Sequence, residues 1–574
     1  MVLEEGGTIL DPQQPVIDPH SPPPLASKIK SLGTLQATAH TPVYTMHKFW
    51  ARRPWKLFKT LIREFTSPGD LILDPFAGGG VVLVEGLAER RRVIAVDINP
   101  LATLIMRHEV APLDLEMYEK ALGLVAGRIE PLAQRLYHVR CPSCGGVAQA
   151  HWTEFDSVSG EPVRTRYSCP SCGMRGEKRP EPGDLPPPPS PPSYKRVEIP
   201  HGDKTRDLLK LGLRFFDELY TPRNLYMILK IKEAVEEVCA AQGLETVKSF
   251  LLFTLSSTLK WASKMSHLRG RILEGWAMHA YWIYPRHAEV NVWRQFLNRA
   301  RAVIRGKSYS NTYIGMHQRE ASSFEDLSRG CTYMVLNLDS RSLPIPSESV
   351  DAVITDPPYG DNVNYAELSD YFLWLFGGSS PKEGEVVINR SRGSTLQDYC
   401  EGLREVFTEC YRVLKPSGLL VSTFNSKDAS VVAAFFKALR DAGFGFIAAS
   451  PQPYLKAYQT TFHALQVGSM SFDYVFFFAK GFRCGCEPPS LEGFREGVEG
   501  LVRLCVERGW SEREFRARAY PLLINFLAHG DTAQLYTAAT ILEKTVRRES
   551  RYFREVRARI VGLRRLGAGL GDTG

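Results

Sequence analysis

The chain has 574 residues, 44% of them apolar and 23% charged, an ordinary balance for a globular protein of two to four domains. Its 71 Lys and Arg against 63 Asp and Glu leave a net charge of +8, which permits a nucleic-acid partner without establishing one. No stretch approaches ~18 uninterrupted apolar residues, so no membrane span is expected. Eleven cysteines, four of them in two paired clusters, suit a reducing cytoplasmic interior better than a disulfide scaffold.

Residues 1–38 are acidic, polar and Pro-rich (DPQQPVIDPHSPPP) and read as a mobile tail without the basic and apolar regions of a signal peptide. Residues 39–112 read as the first part of a sheet domain. There the apolar run Leu71–Leu73 ends at Asp74, and Pro75-Phe76-Ala77-Gly78-Gly79-Gly80 leads into the helical stretch Val81–Arg90. A second strand, Val93–Val96, ends at Asp97, 23 positions after Asp74. Glycines lacking Cβ let backbone N–H groups approach a ligand closely, and an acid at this distance suits two bonds to ribose hydroxyls. A glycine loop alone fits NAD, FAD or no ligand. The GxGxxG fingerprint is absent, which disfavours a dinucleotide and leaves a smaller adenosyl ligand.

Residues 113–199 carry Cys141-Pro-Ser-Cys144-Gly and Cys169-Pro-Ser-Cys172-Gly, with 24 residues between the pairs. Each pair sets two thiolates on a tight knuckle, and four thiolates close a tetrahedral site with no open position. Structural zinc at Cys141, Cys144, Cys169 and Cys172 is therefore expected. Arginines around the knuckles, with Trp152 and Tyr167, suit nucleic acid, or form a solvated charged face. The run Pro182–Pro192 (PGDLPPPPSPP) reads as a stiff polyproline spacer. Residues 200–330 read as a helical insertion: Arg223–Cys239 has apolar positions at three- and four-residue spacing.

Sheet sequence returns over residues 331–482. The β-branched run Val350–Thr355 ends at Asp356-Pro357-Pro358-Tyr359, with Gly360 following, so a buried strand stops at a rigid turn. Two prolines remove two backbone donors and leave carbonyls facing outward. The Asp356 carboxylate and the Pro357 carbonyl can accept both hydrogens of an exocyclic amine, while Tyr359 stacks on the base. Such a base has to leave its duplex to reach the pocket. Carbon methylation at cytosine C5 would need a nucleophilic cysteine presented after a proline, and the chain contains no Pro-Cys dipeptide. Residues 483–574 read as helical, ending in the basic run Lys544–Arg565; no nuclease motif is apparent there.

Taken together, DPFAGGG, the strand end at Asp97 and DPPYG resemble the S-adenosylmethionine-dependent amino-methyltransferases. HKFWARRP (His47–Pro54), the paired CxxC motifs and DPPYGDNVNYAELSDYFLWLF narrow the resemblance to adenine-specific DNA methylases carrying a zinc ribbon, over roughly residues 40–480. It implies a doubly wound, Rossmann-like α/β sheet interrupted by a large zinc-ribbon and helical insertion. It also implies that Asp74, Phe76, Gly78 and Gly80 cradle the methionine end of S-adenosyl-L-methionine, Asp97 the ribose and Asp339, in Asn337-Leu338-Asp339-Ser340, the adenine. Asp356, Pro357, Pro358 and Tyr359 then hold the target amine, adenine N6, of a flipped base in duplex DNA. The insertion over 200–330 is expected to recognise the target, or else to serve as a lid or oligomerisation module. The activity implied is a stand-alone modification of the restriction–modification kind. Cytosine N4 methylation, an RNA amino-methyltransferase and a non-catalytic zinc-containing nucleic-acid-binding protein are the alternatives.

Overall fold

In this computed structural model residues 12–33, 39–453, 472–485, 487–556 and 558 are described. Along the chain, β1 (Val16–Ile17) and α1 (Pro23–Ser31) lead to α2 (Trp55–Phe65) and then to β2 (Leu71–Asp74), α3 (Val81–Ala88), β3 (Arg92–Val96) and α4 (Pro100–Val110). The insertion follows: α5 (Leu115–Leu136), then β4 (His138–Arg140), β5 (Val147–Asp156), β6 (Pro162–Ser168) and β7 (Arg175–Lys178). Short α6 (Arg206–Lys210), α7 (Pro222–Gln242), α8 (Glu245–Ala262), the hairpin β8 (His267–Arg269) and β9 (Ile272–Glu274), β10 (Arg286–Val290) and α9 (Val292–Tyr313) complete it. The chain re-enters the first sheet with β11 (Tyr333–Leu336), β12 (Val350–Thr355), α10 (Tyr365–Leu373), α11 (Leu396–Val413), β13 (Leu414–Phe424), α12 (Ala429–Asp441), β14 (Phe444–Pro453) and β15 (Phe472–Lys480). Then come α13 (Leu491–Arg508), α14 (Glu512–His529) and α15 (Leu535–Arg548).

The main sheet runs β1-β14-β15-β13-β12-β2-β3-β11. From β11 to β13 the strands are parallel, whereas β15, β14 and β1 join antiparallel. Its central strands are apolar on both faces because both faces are covered. Ile72, Val93, Ala95 and Ile354 pack into one core with α2 to α4, while Leu71, Leu73, Ile94, Val96 and Val353 pack into a second with α11, α12 and the C-terminal helices. The period of two along each strand sorts the residues between the cores. Strand order reverses between β2 and β12, whose registers pair Ala352 with Ile72 and Val353 with Leu73. A doubly wound sheet opens a ligand crevice at the carboxyl ends of such strands. Asp74 and Asp356 sit at those two ends.

Three boundaries fall elsewhere than the sequence pattern places them. Residues 12–33, expected within a mobile tail, include β1, which extends the sheet edge at Ala448 and Ala449, and α1, which buries Ile29; residues 1–11 and 34–38 lie outside the described residues. Residues 115–136, expected with the ribbon, form α5, whose Tyr118, Ala121, Val125, Ile129 and Ala133 enter a bundle with α7, α8 and α9. The ribbon sheet also takes β10, from the far end of the helical insertion, as a strand beside β5. Proline-rich sequence carries no repeat of apolar spacing, and strand pairing across more than a hundred residues leaves no local signal. The polyproline run is itself docked, because buried Arg223 donates to the carbonyls of Leu185 (2.5 Å) and Pro186 (3.2 Å).

Candidate active site and metal centre

The carboxyl ends of β2, β3, β11 and β12 open into one cleft of about 960 Å³, part of it open to solvent. Asp74, Phe76, Gly78, Asp97, Asp339, Asp356 and Pro358 line it together. Gly78 has φ +48°, and a Cβ there would lie 3.1 Å from the Phe49 ring, so the turn needs glycine for both reasons. Its N–H donates to Asp97 Oδ2 (2.8 Å), and Asn99 N–H donates to Oδ1 (2.8 Å). Burial pushes the Asp97 carboxyl up to about 6, and these two N–H groups pull it back. Asp74 Oδ1 accepts from Thr355 Oγ1 (2.7 Å) and from Phe76 N–H (3.2 Å), tying β2 to β12 at the reversal point. Burial pushes its carboxyl up to about 7.

Gly80 does not face the cleft. With φ +74° it caps the start of α3, and a Cβ would lie 2.8 Å from Met106 Cγ and 3.2 Å from Glu109 Oε2. Its role is close packing of α3 on α4, and its assignment to cofactor contact is corrected accordingly. Asp339 lies in the cleft wall, its carboxylate bonded to Arg341 Nε (3.0 Å) beneath Gly384.

Asp356 is half-buried. Its Oδ1 accepts from Thr423 Oγ1 (2.5 Å) at the end of β13 and from the Tyr359 hydroxyl, and its Oδ2 accepts from Arg53 Nε (2.8 Å). Burial raises its carboxyl above the usual range, while the Arg53 guanidinium and the Thr423 hydroxyl pull it back. The Pro358 carbonyl accepts from Tyr399 Oη (2.6 Å), which pins the turn, and no protein donor reaches the Pro357 carbonyl among the described residues. Tyr359 stands edge-on to Phe424 at 4.8 Å, with the Arg53 guanidinium 4.7 Å from its ring centroid.

The four cysteines lie away from this cleft, at one end of the ribbon sheet. Each knuckle closes by paired backbone bonds: Cys141 N to Gly146 O (2.8 Å) and Gly145 N to Cys141 O (2.9 Å), then Cys169 N to Met174 O (2.8 Å) and Gly173 N to Cys169 O (3.0 Å). The Sγ atoms of Cys141, Cys144, Cys169 and Cys172 all lie within 4.8 Å of one another, with closest pairs at 3.6 and 3.7 Å. A tetrahedron with Zn–S of about 2.3 Å has sulfur–sulfur edges of about 3.8 Å. The cluster fits a four-thiolate metal.

Residues 28–106 and 350–480, the two halves of the sheet domain, match the family model described as DNA methylase. The chain is also 22% identical over 424 residues to the type II methyltransferase M.MjaII of Methanocaldococcus jannaschii, covering 69% of this chain and 74% of that one. Over these stretches the chain is similar to DNA methylases. Residues 118–185, spanning most of α5 and the ribbon, match the ATPase-domain model of the phage terminase large subunit gpA; this stretch contains no G-x-x-x-x-G-K-[ST] phosphate loop. Among solved structures, TTHA0409 of Thermus thermophilus, named as a DNA modification methylase and complexed with S-adenosyl-L-methionine, is 18% identical over 30% of this chain and 62% of that chain, at a TM-score of 0.16. A Haloferax volcanii methyltransferase in complex with its Trm112 activator is 13% identical over 31% of this chain and 78% of the other, at 0.17. The chain spans about 60% of the length of the first solved structures it matches. At these TM-scores the fold rests on the strand order described above.

The cleft also holds residues whose part the sequence left open or hid. In HKFWARRP, Phe49 stacks on Tyr365 (5.7 Å, 14°) across the cleft wall. Arg52, 5% exposed, donates to Glu109 Oε1 (2.6 Å), lies beside Gly79, and keeps a buried Nη2 without a partner. Arg53 binds Asp356, Tyr359 and, through Nη1, Asp473 (2.9 Å). The Arg-Arg doublet before Pro54 was the available signal. Thr423 and Asp473 offered none, because Thr423 reaches Asp356 only through the parallel β12–β13 pairing and Asp473 only through the antiparallel β13–β15 pairing. Asn364, shortly after the DPPY turn, is buried and donates to the Ile388 carbonyl (3.3 Å).

Proposed function

We propose that the chain transfers a methyl group from S-adenosyl-L-methionine to the exocyclic amine of a base flipped out of duplex DNA, with adenine N6 as the target. The observation that carries this reading is that Asp356 and Pro358 of the DPPY turn and the Asp74–Gly79 loop end adjacent strands and line one cleft.

The cleft fits the cofactor on three counts. Gly78 and Gly79 bring Cβ-free backbone into the cleft lining, Asp97 offers a half-buried carboxylate 2.8 Å from the loop backbone, and Arg52 has an unpaired buried N–H next to Gly79. Arg52 would pair with the cofactor carboxylate, Asp97 with its ribose hydroxyls, and Asp339 with its adenine. When bound, the cofactor supplies an electrophilic sulfonium methyl. The Asp356 carboxylate and the Pro357 carbonyl accept the two amine hydrogens, which localises the nitrogen lone pair for in-line displacement. The same carboxylate is placed to take the proton the amine releases. For this, Arg53 has to yield its place on Oδ2 to the incoming amine. Tyr359 supplies the stacking face.

At the ribbon, Cys141, Cys144, Cys169 and Cys172 would hold zinc in a structural role, since four thiolates leave no open position. Labelled methyl transfer to duplex DNA and to RNA, followed by hydrolysis and identification of the modified nucleoside, tests the reading. N6-methyladenine in DNA is expected. N4-methylcytosine would move the target base while keeping the mechanism, and modification of RNA alone would overturn the DNA assignment.

A further inference from the structure

The segment between β9 and β10, Gly275 to Pro285, forms a loop beside the cleft and is fixed at both ends. Trp276 is buried against Trp50 (5.6 Å) and Tyr371 (4.5 Å), and Trp50 itself lines the cleft. The Trp276 Nε1 donates to the Ala280 carbonyl (2.9 Å), which closes the loop on itself. Tyr281 stacks on Trp276 (5.0 Å) and donates its hydroxyl to the Glu367 carbonyl (2.7 Å) in α10, the helix after the DPPY turn. The other end is held by the ribbon: Ser157 donates from N–H to the Pro285 carbonyl (2.8 Å) and from Oγ to the Tyr284 carbonyl (2.6 Å).

Between these anchors two large apolar side chains are left in water. Met278 is 46% and Trp282 51% exposed, and Ile272 in the adjoining hairpin is 62% exposed. Single exposed apolar residues are common. Three along one anchored hairpin and loop, next to a cleft, are not explained by packing. Met278 is held in place, with the Tyr284 hydroxyl 3.7 Å from its Sδ. Exposed Arg269, Arg271 and Arg286 flank the loop; Glu274 is paired with Arg269 (2.7 Å), and Asp156 lies opposite Arg286 across the β5–β10 pairing.

We propose that this loop is a DNA-contacting element: Trp282 and Met278 stack into the gap that the target base leaves in the duplex, and Arg271 and Arg286 meet the flanking phosphates. Apolar wedges and aromatic platforms on a basic surface serve such contacts because every base offers a π-face. The proposal rests on the base-flipping DNA reading above. It also gives the metal-held ribbon a task, since β5 and its hairpin turn carry the far end of the loop.

The test uses a duplex bearing the site mapped from the methylated product, with 2-aminopurine at the target position. Trp282→Ala is expected to lower kcat/KM for DNA by roughly tenfold or more and to weaken the fluorescence rise on binding, with affinity for S-adenosyl-L-methionine unchanged. Trp282→Phe should restore most of the activity. The defect should shrink on a duplex whose target base is mispaired, because that base needs less help to leave; a merely structural role would not respond to the mispair. Trp282→Ala combined with Met278→Ala acting on DNA as wild type would overturn the proposal, as would a double variant that changes only oligomeric state. A wild-type protein that methylates no DNA would instead overturn the reading beneath it.

Discussion

Gly78→Val tests the cofactor loop most directly, because structure supplies two separable costs. At φ +48° a residue with a Cβ pays the left-handed penalty, roughly 1–2 kcal/mol. The Cβ also meets the Phe49 ring at 3.1 Å, and that ring is stacked on Tyr365, so relief requires moving the cleft wall. Overpacking of this kind costs roughly 1–3 kcal/mol. Gly243→Ala isolates the first cost, since Gly243 ends α7 at φ +66° with nothing within 4 Å of an added Cβ. Denaturant titration should therefore show Gly78→Ala destabilised beyond Gly243→Ala, and Gly78→Val further still. Isothermal titration with S-adenosyl-L-methionine should show Gly78→Val binding at least tenfold more weakly, about 1.4 kcal/mol, while Gly243→Ala binds as wild type. Gly78→Val binding the cofactor within twofold of wild type would refute the assignment of this loop.

The remaining expectations concern the base turn, the ribose acid and the ribbon. Asp356→Ala should abolish methyl transfer with cofactor affinity held within a few fold; substantial turnover by purified variant would remove the proposed amine contact. Tyr359→Ala should lose roughly 1–3 kcal/mol of base stacking, whereas Tyr359→Phe keeps the ring and should cost only the hydroxyl's bonds to Asp356 and Arg53, about 1 kcal/mol each, read in kcat/KM for DNA. For Asp97, burial raises the folded-state carboxyl to about 6, so the charged acceptor for ribose hydroxyls is present above that pH and is lost as pH falls through it. Cofactor affinity should fall below pH about 6, while the Asp97 contribution to fold stability moves the opposite way, because the folded state alone keeps the proton between pH 3.8 and about 6. An affinity flat from pH 5 to 7 would count against Asp97. Cys169→Ser with Cys172→Ser should bring metal content near zero by elemental analysis and keep cofactor binding at 25 °C. Because Val139, Cys141, Ala148 and Cys169 share a core with α5 and α7, the variant should also melt earlier; an unchanged melt would show that the ribbon folds independently of the bundle.

Local features were legible in the residues alone. The continuous apolar runs into Asp74, Asp97 and Asp356 mark strands that end in acids, and the CPSCG knuckles carry their own turn geometry. The 3.6 periodicity of residues 223–239 marks α7. Each of these signals lies within about twenty residues, where spacing and side-chain chemistry suffice. Only the tertiary structure decided what lies across the sheet and the insertion. Gly80 looks like its neighbour Gly78 in sequence, yet the turn sends it into α4. Arg53 reaches Asp356 across three hundred residues of chain because the start of α2 and the end of β12 lie at the same rim. β10 joins the ribbon, and α5 leaves it, because pairing partners and shared apolar faces are chosen by the assembled core. Strand pairing and burial against distant helices minimise exposed apolar surface for the whole chain at once, and no window of sequence contains that sum.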